Sequence, residues 1–289
     1  MHKMGRQWVT RRHLLAAFMM VAMVAGGACV PIVPSTVAYE PEMGQLGKDS
    51  VWAPTPDRLI ERMLQMADTG PADLVIDLGS GDGRIPVMAA KRFGARGLGV
   101  EFDPDLVAYS NRLAAREGVA GRVTFLRQDL FETDLSQGSV IAMYISPAVT
   151  LKLRPKLLAL KPGTRIVTHQ FTMGDWEPDE MARVESAPGY LWIVPANAAG
   201  RWRLQIADQH YVIDLRQTYQ MLSGTAISNG KSSPLLAARV RGKAIRFSII
   251  DANGDSRMFN GTIGALSMQG STRVQVRGIA ATGWRAQRE

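Results

Sequence analysis

The chain has 289 residues, of which 46% are hydrophobic and 21% charged, which is enough apolar material for one large domain or for a domain with a substantial second part. Its formal net charge is +8, but residues 1–38 hold four basic residues and no acidic one, so the rest carries only +4. This small excess argues against a nucleic-acid-binding protein. The single cysteine, Cys29, leaves the chain beyond it without disulfides or thiol catalysis.

Residues 1–38 have the pattern of an export signal. Basic residues come first, and an apolar run at residues 14–24 and several small residues follow. Arg11 and Arg12 lie directly before the apolar run, as in twin-arginine signals. The sequence therefore predicts an exported protein that is periplasmic or anchored so that it faces the periplasm.

Three alternatives stay open for this segment. It is cleaved after Ala28 or Ala38, or it is kept as an uncleaved anchor, or Cys29 carries a lipid. Residues 39–50 contain proline, glycine and serine without periodicity, which predicts a linker.

Strands and helices alternate in the next part of the chain. A first helix is predicted at residues 54–67, where apolar residues recur at helical spacing. It is followed by strands at 74–78, 97–101, 123–127, 140–144 and 165–169 and by helices at 84–93, 104–117 and 148–160. The alternation predicts an α/β domain at residues 51–188, with a Rossmann-like, doubly wound, mostly parallel sheet.

Residues 189–289 have a different texture, with short β-rich runs between turn signals. We expect strands at 190–194, 202–206, 211–215, 244–250 and 273–277, and turns at 228–230, 252–255 and 269–271. This pattern predicts an antiparallel β-rich C-terminal domain, as a meander or small barrel. Its expected core residues are Trp202, Phe247, Phe259 and Trp284.

The charge of the two parts differs in sign. Residues 200–289 carry +8 and residues 39–199 carry −4. A group of basic residues on predicted strands could form an edge that contacts acidic lipids or a partner, although exposed strand edges often carry such charges. The group consists of Arg239, Arg241, Lys243 and Arg246.

A glycine-rich turn follows the first strand of the α/β part. Residues 77–83 read Asp-Leu-Gly-Ser-Gly-Asp-Gly and precede a helix, so a ligand can approach the backbone and the helix N-terminus. Arg84 occupies the position of the third glycine in the Gly-x-Gly-x-x-Gly pattern of nicotinamide sites. The turn therefore favours S-adenosyl-L-methionine (SAM) over NAD. Its predicted contacts are Asp77, Gly79, Ser80, Gly81 and Gly83.

Two further carboxylates follow the next two strands. Glu101 can accept hydrogen bonds from both ribose hydroxyls, and Asp103 is the better candidate for capping the helix that begins nearby. Asp129, or the backbone beside it, can meet the adenine amino group. Ligands of open α/β sheets bind at the carboxyl ends of the strands, where all these residues lie.

This stretch resembles a class I SAM-dependent methyltransferase. The strings at residues 51–55, 77–85 and 97–101 are similar to those of mitochondrial-type protein lysine methyltransferases, which act on the adenine nucleotide translocase or on the ATP synthase c subunit. The resemblance covers residues 51–180 and leaves the β-rich part outside. It implies the cofactor contacts named above and suggests that Thr55 belongs to a lid, whereas Pro54 and Pro56 mark it as a helix start.

The methyl acceptor should lie near the fourth and fifth strand ends. Tyr144 replaces the first residue of the Asn-Pro-Pro-Tyr motif of amide and adenine methyltransferases, so those acceptors are disfavoured. Tyr144 could orient the acceptor or pack in the core, and His169 could act as a base, position substrate or hold a loop. No spacing of ligands predicts a metal.

Three functions follow from these features. The first is a SAM-dependent methyltransferase that acts on an acceptor such as a protein lysine. The second is an exported or envelope-associated scaffold that keeps the fold without catalysis. The third is a methyltransferase for a small molecule or a lipid.

Overall fold

The computed structural model describes residues 39–48, 50–251, 253–274 and 280–289. The predicted export signal at residues 1–38 lies outside the described residues. In the described part the chain forms four α-helices and sixteen β-strands, which make two sheets. None of the helices described is long and apolar enough to cross a membrane.

The first sheet has seven strands in the order β3-β2-β1-β4-β5-β7-β6. Strands β1 to β5 are parallel, and β7 is antiparallel to both of its neighbours. The prediction of a mostly parallel sheet is confirmed. Its elements are α1 (Asp57–Met66), β1 (Leu74–Leu78), α2 (Arg84–Phe93), β2 (Arg96–Glu101), α3 (Pro104–Arg116), β3 (Val123–Arg127), β4 (Val140–Met143), α4 (Pro147–Leu158), β5 (Arg165–His169), β6 (Glu180–Val184) and β7 (Ala187–Ile193).

Helices cover both faces of this sheet. The apolar stripe of α1, which includes Leu59 and Met63, packs with α2 on one face. Leu153 and Leu157 of α4 pack on the other face. Burial of apolar surface on both faces explains why the strands read as short, continuous hydrophobic runs.

The strand predicted at residues 190–194 belongs to the first sheet and not to the β-rich part. Strand β7 pairs with β5, from Arg165 opposite Ile193 to His169 opposite Gly189. Leu191 packs on the α1 face and Trp192 on the α4 face, so both sides of the strand are buried. The first sheet therefore extends to Ile193, beyond the predicted boundary at residue 188.

The second sheet is antiparallel and closes on itself. Eight strands form a ring in the order β9-β8-β16-β15-β14-β13-β12-β10, and β10 pairs again with β9. A short strand, β11, pairs with β10 outside this ring. The strands are β8 (Gly200–Ile206), β9 (Gln209–Thr218), β10 (Met221–Ser228), β11 (Lys231–Pro234), β12 (Leu236–Arg241), β13 (Ala244–Ile250), β14 (Ser256–Ile263), β15 (Ser267–Val274) and β16 (Thr282–Arg288).

Aromatic residues fill the interior of the ring, as predicted. Phe247 and Phe259 stack with their centroids 4.6 Å apart, and Trp284 meets both rings edge-on. Trp202 is fully buried in the same cluster. Aromatic pairs in these arrangements add to the stabilisation from burial alone.

The turn predicted at residues 269–271 was wrong, because these residues lie within β15. Gly270 pairs with Gly261 on one side and with Trp284 on the other. A Cβ atom at Gly270 would lie 2.0 Å from the Asn260 carbonyl oxygen. The glycine therefore permits close backbone approach within a strand, and it does not mark a turn.

An ion pair with a buried carboxylate joins the ring to the first sheet. The Asp179 side chain, which is 1% exposed, accepts hydrogen bonds from Arg239 at 2.9 Å and from the Ile193 amide at 2.8 Å. Burial raises the pKa of Asp179, and Arg239 and Arg241 act in the opposite direction. Tyr219 stacks on Trp176 nearby, with the ring centroids 5.8 Å apart. One of the four predicted basic-edge residues, Arg239, is thus part of this internal contact.

Candidate cofactor and acceptor site

The glycine-rich turn connects β1 to α2. Gly79, Gly81 and Gly83 all have positive φ, at 72°, 54° and 80°. A Cβ atom at Gly83 would lie 2.6 Å from the Phe125 ring, and one at Gly81 would lie 2.5 Å from Nε1 of Trp52. Side chains are therefore excluded here by backbone conformation and by space.

Glu101 is held firmly at the end of β2. Its Oε2 accepts a hydrogen bond from the Gly81 amide at 3.0 Å. Its Oε1 accepts from the amides of Phe102 and Asp103, at 2.7 and 3.0 Å. Asp103 caps α3 by accepting from the Asp105 amide, as the sequence indicated. These bonds fix the orientation of the carboxylate while lone pairs remain for a ligand.

Asp77 is a buried carboxylate near the carboxyl end of β1. Asp77 is 2% exposed. Burial, together with the charges of Asp82 and Glu101, raises the pKa of Asp77 well above the usual value. A cationic group bound beside it would stabilise the ionised form. Asp82 itself is paired with Arg84, whose Nη2 lies 2.6 Å from the carboxylate.

Asp129 follows β3 and lies at the other end of the site. Its Oδ1 accepts from the Phe131 amide at 2.8 Å, and its Oδ2 pairs with Lys48. The hydrogen bond from Lys48 lowers the pKa of Asp129. The Lys48 ammonium also lies 4.9 Å from the centroid of the Phe102 ring.

One pocket brings most of the predicted residues together. Of these residues, Asp77, Gly79, Ser80, Gly81, Glu101, Asp129 and Tyr144 line it. Gly83 and His169 are not among the described residues that form its wall. The sequence did not anticipate the lining residues Lys48, Trp52, Phe102 and Gln128.

Part of the predicted linker at residues 39–50 contributes to this pocket. Residues 47, 48 and 50–55, which we call the roof segment, run along the pocket wall. The Trp52 amide donates to the Gln45 carbonyl, and the Gly44 amide donates to the Trp52 carbonyl, both at 2.9 Å. These bonds hold residues 44 and 45 against Trp52, and Lys48 pairs with Asp129, which follows β3. Contacts with distant residues stabilise this segment, so its structure does not depend on a helix or strand periodicity in its own sequence.

His169 lies behind the pocket wall, between two residues that line it. Its Nδ1 is 3.2 Å from the Thr55 hydroxyl. Its ring centroid is 4.0 Å from that of Tyr144, with the planes tilted by 38°. Burial lowers the pKa of His169, so the imidazole is neutral near pH 7.

Two features define this protein as a SAM-dependent methyltransferase. One is the parallel sheet with one antiparallel strand, and the other is the glycine-rich turn beside Glu101, a carboxylate placed to bind ribose. The profile of the ANTKMT methyltransferase domain matches residues 77–180. A protein-lysine N-methyltransferase of Saccharolobus islandicus is 39% identical over 149 residues, covering 50% of this chain and 92% of that protein. The chain belongs to this methyltransferase family.

Other relatives bear related names. The adenine nucleotide translocase lysine N-methyltransferase of Mus musculus is 34% identical over 145 residues, covering 50% of this chain and 62% of that protein. Among solved structures, an RNA methyltransferase from Salinibacter ruber in complex with S-adenosyl-L-homocysteine is 46% identical with a TM-score of 0.49, covering 50% of this chain and 95% of that one. Family membership makes the chain an enzyme and overturns the alternative of a scaffold without catalysis.

The residues of the pocket fit SAM as the cofactor. Ser80 Oγ is buried without a hydrogen-bond partner, as expected for an atom that faces a polar ligand. Asp77 suits the positive charge of an amino-acid ammonium group, and Glu101 suits a pair of ribose hydroxyls. Gly79 and Gly81 line the pocket without side chains, so a ligand there lies against the backbone.

Proposed function

We propose that this enzyme methylates the ε-amino group of a lysine in a protein. The observation that carries the proposal is the position of Tyr144, which follows β4 and lines the cofactor pocket together with the uncharged residues Pro54, Thr55 and Ile145. Several relatives bear names that specify lysine as their acceptor, which supports the same assignment.

A lysine amine must lose its proton before it can react. Removal of water lowers the pKa of an ammonium group. A lysine that enters beside Tyr144 therefore becomes neutral more readily than one in solution. The Tyr144 hydroxyl can then hold the nitrogen by a hydrogen bond.

The roles of the protein groups are to bind and to align. When bound, SAM supplies an electrophilic methyl group, whose carbon–sulfur bond breaks as the nitrogen–carbon bond forms. Glu101, Asp77 and the glycine turn would hold the nucleoside and amino-acid parts. Tyr144 would hold the amine in line with the methyl carbon. Correct alignment of two reactants can supply much of the rate acceleration without a strong base.

The proposal is tested with the full chain and SAM that carries a labelled methyl group. Soluble and membrane protein extracts serve as acceptors, and labelled protein is hydrolysed so that methylated amino acids can be separated. We expect label in methyl-lysine, and none with the Glu101→Ala variant. Label confined to lipid, to small molecules or to another amino acid would refute the lysine proposal.

We also propose that the enzyme is exported and associates with the periplasmic side of the membrane. Support comes from Arg11, Arg12 and the apolar run in residues 1–38, together with the net positive charge of residues 200–289. An exported enzyme needs either a source of SAM outside the cytoplasm or SAM that is already bound when the protein is exported. The twin-arginine route allows the second, because it carries folded proteins.

A further inference from the structure

The end of β5 contains a strained turn. The Phe171 amide donates to the His169 carbonyl at 2.8 Å, and Gln170 between them has a φ of 68°. This combination of an i to i+2 bond and positive φ is the rare and strained form of the γ-turn. The Gln170 amide donates to Pro188 of β7 at 2.9 Å, and the Thr168 hydroxyl donates to the Phe171 carbonyl at 2.6 Å. Strained turns that neighbouring bonds enforce are concentrated at functional sites.

The turn places two rings against Tyr144. The His169 centroid lies 4.0 Å from that of Tyr144. The Phe171 ring stacks on Tyr144 at 6.2 Å, with an interplanar angle of 28°. Packing against two rings restricts the rotation of Tyr144 and therefore fixes the direction of its hydroxyl.

His169 also holds the roof segment. Its Nδ1 contacts the Thr55 hydroxyl, and Thr55 and His169 are 3% and 6% exposed. The Thr55 carbonyl accepts from Nη1 of Arg84 at 3.3 Å, which ties the same residue to the start of α2. A buried hydrogen bond of this kind is costly to break, because one partner is left unsatisfied.

We propose that His169 is a positioning residue that fixes Tyr144 and Thr55 relative to each other across the cofactor pocket. Tyr144 and Thr55 line the pocket, whereas His169 lies behind both in the described residues. The proposal rests on the proposed function in one respect, because Tyr144 is taken as the residue that meets the lysine. Of the roles expected for His169, the proposal favours holding a loop over accepting a proton from substrate.

The test compares variants that remove one contact at a time. Thr55→Val removes the hydroxyl with little change of shape, and Thr55→Ser is the matched control that keeps it. His169→Phe keeps a ring against Tyr144 and loses the bond to Thr55. We expect Thr55→Val and His169→Phe each to lower kcat about five- to tenfold, whereas Thr55→Ser, which keeps the hydroxyl, retains more activity than Thr55→Val. The double variant should lose little more than either single variant, because both remove the same bond.

Two readouts separate positioning from proton transfer. For a positioning residue, the pH dependence of kcat in His169→Phe keeps the wild-type shape, and the Kd for SAM changes by less than about twofold. Tyr144 is a titratable group that packs against His169, and it is present in both enzymes. A loss of about 100-fold or more in His169→Phe with an altered pH profile would overturn the proposal and identify a base.

The coupling of Thr55 to His169 can also be measured without turnover. Thr55→Val, His169→Phe and the variant that combines them give a double-mutant cycle for the free energy of unfolding. We expect this cycle to show a clear interaction between the two side chains. Additive effects in that cycle would overturn the proposal. If the coupling is present and the wild type methylates no lysine, then the proposed function fails and the positioning contact stands.

Discussion

Gly81→Ala tests how the glycine turn and the roof segment fit together. Gly81 has a φ of 54°, and the left-handed conformation costs a residue with a Cβ atom about 1–2 kcal/mol. The new Cβ would also lie 2.5 Å from Nε1 and 2.7 Å from Cδ1 of Trp52. Overpacking of this kind costs about 1–3 kcal/mol. We therefore expect the free energy of unfolding to fall by roughly 2–5 kcal/mol.

Gly118→Ala is the matched control for this variant. Gly118 has a φ of 72°, and nothing lies within 4 Å of the position of its Cβ. The control therefore measures the conformational cost alone, and the difference between the two variants measures the contact with Trp52. Denaturant unfolding gives the free energy of unfolding of both variants. In a variant that combines Gly81→Ala with Trp52→Ala, the part of the stability loss that comes from the contact with Trp52 should disappear.

SAM binding provides the functional half of the test. Displacement of the turn also moves the Gly81 amide, which donates to Glu101. We expect calorimetry to give a Kd for SAM at least about tenfold weaker in Gly81→Ala and unchanged in Gly118→Ala. Equal stability losses in the two variants, with wild-type SAM affinity in both, would refute the assignment of this turn and its contact with Trp52.

Three further predictions concern the cofactor carboxylate, the buried histidine and export. Glu101→Gln keeps the shape but replaces one acceptor oxygen by a donor, so we expect calorimetry to show SAM affinity at least about tenfold weaker, whereas Glu132→Gln leaves it unchanged. His169 has a folded pKa below 6.5 because of burial, so the unfolded chain binds more protons as the pH falls from 7 through 6.5. Wild-type stability should therefore fall over this range, and His169→Phe should show a shallower fall; identical slopes would contradict the neutral histidine. A reporter fused after the first 50 residues should lose export when Arg11 and Arg12 become lysine, and continued export would exclude the twin-arginine route.

The first half of the sheet could be predicted from local sequence alone. Strands β1 and β3 and helix α2 lie at the predicted residues because short apolar runs and glycine or proline at their ends define them locally. Helix α3 begins at Pro104 with Asp103 as its cap, which is also a local signal. The cofactor residues on these elements were predictable for the same reason, since strand ends and the turn between them determine their positions.

For the second sheet, only its class, an antiparallel β-rich domain, could be predicted from the sequence. Its strands alternate buried and exposed residues, and polar or glycine residues interrupt several of them, as Gly270 interrupts β15 and Gly224 interrupts β10. Pairing across the ring, and not local pattern, determines where these strands begin and end. Gly224 shows this well, because a Cβ atom there would lie 1.9 Å from the Asp214 carbonyl oxygen on the neighbouring strand.

The contacts of residues 39–48 and 50 could not be predicted for a related reason. Their structure depends on partners far along the chain, such as Asp129 for Lys48 and Arg112 for the Tyr39 carbonyl. The amino-acid composition of this stretch does not indicate such contacts. A short, aperiodic stretch directly before a predicted cofactor domain can therefore be part of the binding site.

The pairing of Lys48 with Asp129 changes how the adenine contact should be understood. In the sequence, Asp129 is a free carboxylate that could accept from the adenine amino group. In the structure, one oxygen accepts from the Phe131 amide and the other pairs with Lys48, which holds the pKa of Asp129 low. An adenine donor must therefore share an oxygen that is already bonded, or meet the backbone beside Asp129. Because Lys48 belongs to the roof segment, the carboxylate that was expected to recognise the cofactor also keeps the roof in place over it.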